Sequence, residues 1–195
     1  MHSEWRCDIH GPVLPLHVAR HINRDVIVAT THHLRVPLWC PWPLLAGWTV
    51  TGAGWAGDDR SGGRASVLSV SAPGPLGGPA DIMLIAEEPG IGLGARFAAL
   101  TGFDPGDHLL EAVRRSAAHA KVKAAGHPTP LWSVASVDDR GVYVGEAKGV
   151  WLYAVAWPAA AAYLLVEDLV LHDLVESVPG ELVFGAPCPY LHGTV

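Results

Sequence analysis

An unbroken apolar run from Ile82 to Ala86, closed by Glu87 and Glu88 and preceded by the turns Pro73-Gly74-Pro75 and Gly77-Gly78-Pro79, is the strongest constraint in this chain. A strand shows its side chains alternately to its two faces, so a strand that is apolar throughout must be covered on both. The fold has to be layered around it. The pattern recurs: Ala162 to Asp168 is an apolar run ending in two acids, eighty positions further on. Asp58-Asp59-Arg60 recurs at the same offset as Asp138-Asp139-Arg140, and Pro37-Leu38-Trp39 recurs as Pro130-Leu131-Trp132. Val67 to Pro73 aligns with Leu152 to Pro158 once a short insertion is allowed. These marks predict an internal repeat of about residues 36–89 and 128–174. Ala162 to Asp168 is therefore expected to be a strand, against the helix-starting propensity of Pro158 and the alanines after it.

The rest of the chain reads as further strands with short connections, which favour antiparallel pairing. Thr49 to Trp55 is a strand, and Ala65 to Ser71 alternates serine with leucine and valine at the period of a strand with one wetter face. Val142 to Val144 and Val150 to Trp157 form a hairpin across Gly145 to Gly149, and Leu169 to Leu174 with Leu182 to Phe184 could form another across Pro179-Gly180. Asp107 reads as the N-cap of the one helix, about 107–120, with Leu110, Val113, Ala117 and Ala120 at helical spacing and cations toward its end. The segment from Val36 to Trp48 holds too many prolines for a central strand or a helix interior, so its tryptophans are expected to cap a core. The prediction is a β-rich α+β fold, with two related antiparallel β-meanders packed as a sandwich or incomplete barrel. An N-terminal segment, 1–35, precedes a single domain, 36–195.

At 195 residues the chain is long enough to bury a sizeable core. Charged residues are only 16% of it, below the usual quarter, which leaves apolar surface for a protein partner or self-association. The tryptophan-rich segment 39–55 is the candidate contact. A net charge of −6 argues against nucleic acid, which is held mainly by clustered Lys and Arg. Three cysteines and a polar N-terminus without an export signal point to a reducing cytoplasm. The uncharged run Val150 to Val166 is split by Pro158, which argues against a membrane span.

Candidate chemistry is sparse. Cys7 and His10 have the spacing of half a zinc knuckle, whereas a structural zinc wants four ligands; zinc is the one cofactor these residues suggest, and none is expected to be required. The loop Gly90-Ile91-Gly92-Leu93-Gly94-Ala95-Arg96 invites a phosphate-cradle reading, with Gly90, Gly92, Gly94 and Arg96 facing an anion. Its spacing is not the dinucleotide fingerprint, and two carboxylates stand directly before it. The acid pairs Glu87/Glu88 and Glu167/Asp168 occupy equivalent repeat positions, so they are candidates to converge as metal ligands or as an acid and base. The plainer reading has each pair ending a strand at solvent or bonding to Arg60, Arg64, Arg96 or Arg140. The Asp-Asp-Arg segments read as Asx turns.

Trp5-Arg6-Cys7-Asp8 with His10-Gly11, the segment Gly57 to Ala65, Pro75-Leu76-Gly77-Gly78, Ala86-Glu87-Glu88, Gly92 to Arg96, Pro128 to Trp132 and Asp138-Asp139-Arg140 together resemble an uncharacterised family of actinobacterial proteins, over almost the whole chain. The resemblance implies an N-terminal zinc ribbon whose Cys-x-x-Cys pair precedes the Cys7 element. Here that first pair is missing, either because the ribbon has been lost or because the start was placed downstream of the true one, and 1–35 would be a truncated remnant of the ribbon. Some relatives carry the label phosphotransacetylase, but no catalytic motif of that enzyme matches this chain, and the family implies no activity. The expected function is a cytoplasmic, non-catalytic binding or assembly module. The alternative is an enzyme acting on a small phosphorylated or acyl substrate at the cleft between the repeats.

Overall fold

The computed structural model describes residues 6–7, 11–12, 14–58, 60–166 and 169–192. In chain order come β1 (Arg6–Cys7), β2 (Gly11–Pro12), β3 (Leu16–Val18), α1 (Arg24–Thr31), β4 (Trp39–Pro41), β5 (Thr49–Asp58), β6 (Gly62–Pro73) and β7 (Pro79–Glu87). They are followed by α2 (Leu93–Phe97), α3 (Gly106–Arg115), β8 (Ala120–Ala124), β9 (His127–Ser133), β10 (Gly141–Ala147), β11 (Val150–Trp157), a 3-10 helix (Ala159–Leu165) and β12 (Val170–Asp173). β1 and β2 pair only with each other; the remaining strands form one sheet in the order β3-β5-β6-β7-β11-β10-β9-β8-β12-β4. Every pairing in it is antiparallel except β8 with β12.

β7 and β11 lie at the centre, where two meanders, β5 to β7 and β8 to β11, meet through the register Leu84 opposite Ala154. The unbroken apolar run has the burial it demands. Ile82, Leu84 and Ala86 enter one core with Val50, Leu68 and Leu152, while Met83 and Ile85 enter a second with Val67, Tyr153 and Val155. The first core is closed by the far end of the sheet, since Trp39, Val122 and Leu171 belong to it and β4 lies against β6 and β7. The second is covered by α2, by Leu109 and Ala112 of α3, and by the C-terminal residues Cys188 and Leu191. Among the described residues no helix is long and apolar enough to cross a membrane.

Local signals account for much of this. Asn23 caps α1, its side chain accepting from the Val26 amide. The β10–β11 hairpin turns through Lys148 and Gly149, both at positive φ, which matches the twist of the paired strands. Asp58 closes the β5–β6 turn by accepting from the amides of Arg60 and Ser61.

Three expectations are corrected. Residues 162–165 are not a strand but belong to the 3-10 helix, whose start is the Ala161 amide donating to the Pro158 carbonyl. Glu167 and Asp168 lie outside the described residues. By place in the sheet the counterpart of β7 is β11, and Pro37 to Trp39 leads into an edge strand whereas Pro130 to Trp132 lies in an interior one, so the proposed residue-by-residue correspondence is not followed. Second, the helix expected over 107–120 ends at Arg115: Ser116 is extended, and Ala120, Val122 and Ala124 are buried at the period of two that makes β8. Its inward face is Leu109 and Ala112, while Leu110 and Val113 are 45% and 44% exposed. It is also one of three α-helices among the described residues, not the only one. Third, Leu182 to Phe184 does not pair with β12; the Val50 amide donates to the Val183 carbonyl and the Gly185 amide to the Val50 carbonyl.

Candidate functional site

Adjacent residues on a strand face opposite ways, so Glu87 and Glu88 part company where β7 ends. Glu88 leaves the core and meets Arg64 of β6, with Nε to Oε2 at 2.7 Å. Glu87 points into the second core and is completely buried. Its Oε2 accepts the Gly94 amide at 3.0 Å, and its Oε1 is buried without a hydrogen-bond partner. The Tyr153 hydroxyl faces Glu87 but falls short of hydrogen-bond geometry and is itself unpartnered. Burial pushes the Glu87 carboxyl up to about 7, further raised by the nearby Asp104 and opposed by the Gly94 amide, Tyr153 and the Leu93 amide. Burial, and then Glu87, push the Tyr153 phenol up as well.

This close packing depends on one glycine. A Cβ at Gly94 would stand 2.2 Å from Cδ2 of Tyr153, so only glycine lets α2 lie directly on that ring and bring its amide to Glu87. Asp104 holds the other end of the same segment: its Oδ1 accepts the Gly90 amide at 2.8 Å and the Trp151 indole at 3.1 Å. Two amides of the glycine loop are thus taken by the chain's own carboxylates, which leaves less of a cradle for a phosphate. Arg96 is exposed on α2, its guanidinium 5.9 Å from the Phe97 ring, and among the described residues no hydrogen bond or ion pair joins it to Glu87 or Glu88.

The 3-10 helix that precedes Glu167 and Asp168 packs on Gly141, which is paired with Ala156, and its Ala161 and Leu165 lie in the first core. Glu87 is paired with Trp151 at the other end of β11 and faces the second core. Cys7 pairs with Gly11 through the backbone, and His10 lies outside the described residues. Among the described residues no three of His, Cys, Asp or Glu converge to hold a metal ion. Neither described thiol is poised as a nucleophile, for burial pushes Cys40 up to about 12 and also raises Cys188. Of the tryptophan-rich segment, Trp39 and Trp48 are buried in the first core, while Trp55 is stacked between His17 at 4.1 Å and His33 at 4.9 Å.

Two further groups matter here. Asp104 sits in a loop without motif, and Asp173, buried in β12, accepts from the Leu38 and Val175 amides and from Lys148. His172 beside it turns the other way, to Ser177. No curated protein and no solved structure is significantly similar to this chain. A family model matches residues 1–191, nearly the whole length, and the chain therefore belongs to that family, a family of unknown function (DUF6758).

Proposed function

We propose that the protein is a non-catalytic binding or assembly module. The observation that carries this reading is the separation of the groups an enzyme would need together: Glu87 is enclosed, Glu88 is tied to Arg64, and Arg96 stands outside. An enzyme acting on a small phosphorylated or acyl substrate would need Glu87 and Arg96 to open on one cleft, and is the weaker reading for that reason. The partner is a protein, with a second copy of the chain as the simplest case. The contact is the exposed part of the tryptophan-rich segment, around Trp42 and Leu45, beside Val170, whose carbonyl accepts the Trp42 amide at 2.9 Å. Leu45 and Val170 are each 42% exposed.

Sedimentation velocity from micromolar to high micromolar concentration tests this. The protein is expected to shift to a dimer or larger species as concentration rises, and Leu45→Asp with Val170→Lys to weaken that association at least about tenfold, roughly 1.4 kcal/mol. A species that remains monomeric throughout, or a double variant that associates as well as the parent, would discard this surface. A second expectation concerns the metal. Cys7 and His10 supply two of the four ligands a structural zinc takes, so elemental analysis of the purified chain should find no stoichiometric zinc. One zinc per chain would mean that other side chains complete the site.

A further inference from the structure

Glu87 is rooted on a strand that cannot yield. β7 is bonded along its length to β6 on one side and β11 on the other, so a charge forming on its last carboxylate cannot reach water by moving the strand. What covers it is slighter: a five-residue helix and its flanking loops, whose Leu93, Phe97 and Leu100 enter the second core. The segment is held by the Gly94 amide on Glu87, by the Gly90 amide and Trp151 indole on Asp104, and by Arg140 and Ser136, which donate to the Phe97 and Ala98 carbonyls. The groups facing Glu87 are few. From β11 comes Tyr153, and from the loop before α3 comes Asp104, a second acid. Arg64 of β6 is turned away to Glu88, and Arg96 of α2 points to solvent. Among the described residues no cation faces Glu87, and one of its oxygens has no donor.

We propose that Glu87 is a proton-operated latch for residues 90–104: uncharged, it lies closed beneath α2, and its ionisation loosens that segment from the β7–β11 face. The segment yields first because lifting it hydrates the carboxylate and relieves the repulsion from Asp104, at the expense of one short helix. The direction follows from linkage. A carboxyl held above its ordinary range in the closed form favours closure at low pH, and that contribution fades as pH rises from the ordinary glutamate range through about 7. Opening uncovers Met83, Ile85 and Tyr153 of the second core, so apolar surface is exposed on the neutral-to-alkaline side.

Amide hydrogen exchange followed by mass spectrometry, corrected for the intrinsic effect of pH on exchange, reads this directly. For the full chain, opening of residues 93–100 is expected to become about tenfold more frequent between pH 6 and pH 8, while residues 141–147 stay constant. Glu87→Gln should flatten the profile. Asp104→Asn, which retains an acceptor but removes the neighbouring charge, should move the midpoint to lower pH. A flat profile in the parent chain overturns the latch whether or not the variants fold. A parent profile that persists in Glu87→Gln, or a midpoint unmoved by Asp104→Asn, overturns the assignment to this pair.

Discussion

Asp173→Ala should lower the unfolding free energy by about 3–4 kcal/mol, and the melting temperature by roughly 10 °C. The carboxylate is buried and joins three parts of the chain: the Leu38 amide ahead of β4 at 3.1 Å, the Val175 amide at 3.0 Å and Lys148 at the β10–β11 turn at 2.9 Å. Alanine would strand the Leu38 amide in the core, and an unsatisfied buried donor costs about 1–3 kcal/mol. It would also release β4, which closes the first core. Asp173→Asn keeps an acceptor for both amides and is expected to cost about half as much. Lys148→Met should cost about 1 kcal/mol or less, because the lysine is 35% exposed and its pairing is screened by water. Chemical denaturation of the three variants measures the order. If Lys148→Met proves as damaging as Asp173→Ala, the ion pair matters more than the backbone acceptors and this account is wrong.

Gly94→Ala is the other large effect. The added methyl would meet the Tyr153 ring at 2.2–2.7 Å, and Tyr153 is fully buried, so the ring has no free space to turn into. Overpacking of this kind costs about 1–3 kcal/mol, and here the upper end is expected because α2 must also lose its bond to Glu87. Gly180→Ala is the control: an added methyl meets nothing there and φ is not positive, so stability should change by less than about 0.5 kcal/mol. The same denaturation experiment compares them. Equal, small effects at the two positions would show that α2 does not rest on Tyr153 as described.

The latch and the two substitutions concern the same pair of seams: α2 on the β7–β11 face, and β4 with β12 against the first core. Their legibility in the sequence differs. In the sequence Glu87 stands out as half of an acid pair, whereas its importance comes from being the half that faces inward. Gly94 reads as one glycine of a loop. That it is required by the Tyr153 ring, 59 residues away by number, has no trace in local spacing. Ala120 fits the helical pattern although it lies in β8, because a strand with small side chains at alternate positions, following a helix, also fits the helical period for a few residues. The segment after Pro158 goes the other way: local propensity favours the helical turns it adopts, and the likeness to Ile82 to Glu88 does not make it a strand.

β6, expected from its serines to have one wetter face, is buried on both, with Ser66 and Ser69 fully enclosed. What the sequence determined by itself was that Ile82 to Ala86 is a strand buried on both faces, where the β10–β11 and Asp58 turns fall, and that the net charge is negative. Each is written in neighbouring residues, because side-chain alternation, glycine's tolerance of positive φ and the self-bonding of aspartate act over a few positions. Only the tertiary structure decided that β7 pairs with β11, that Asp173 bonds the Leu38 amide from 135 residues away, and that a carboxyl beneath α2 is left without water. The strength of a buried charge or donor depends on what encloses it. That enclosure is assembled from segments whose separation along the chain carries no record of their meeting.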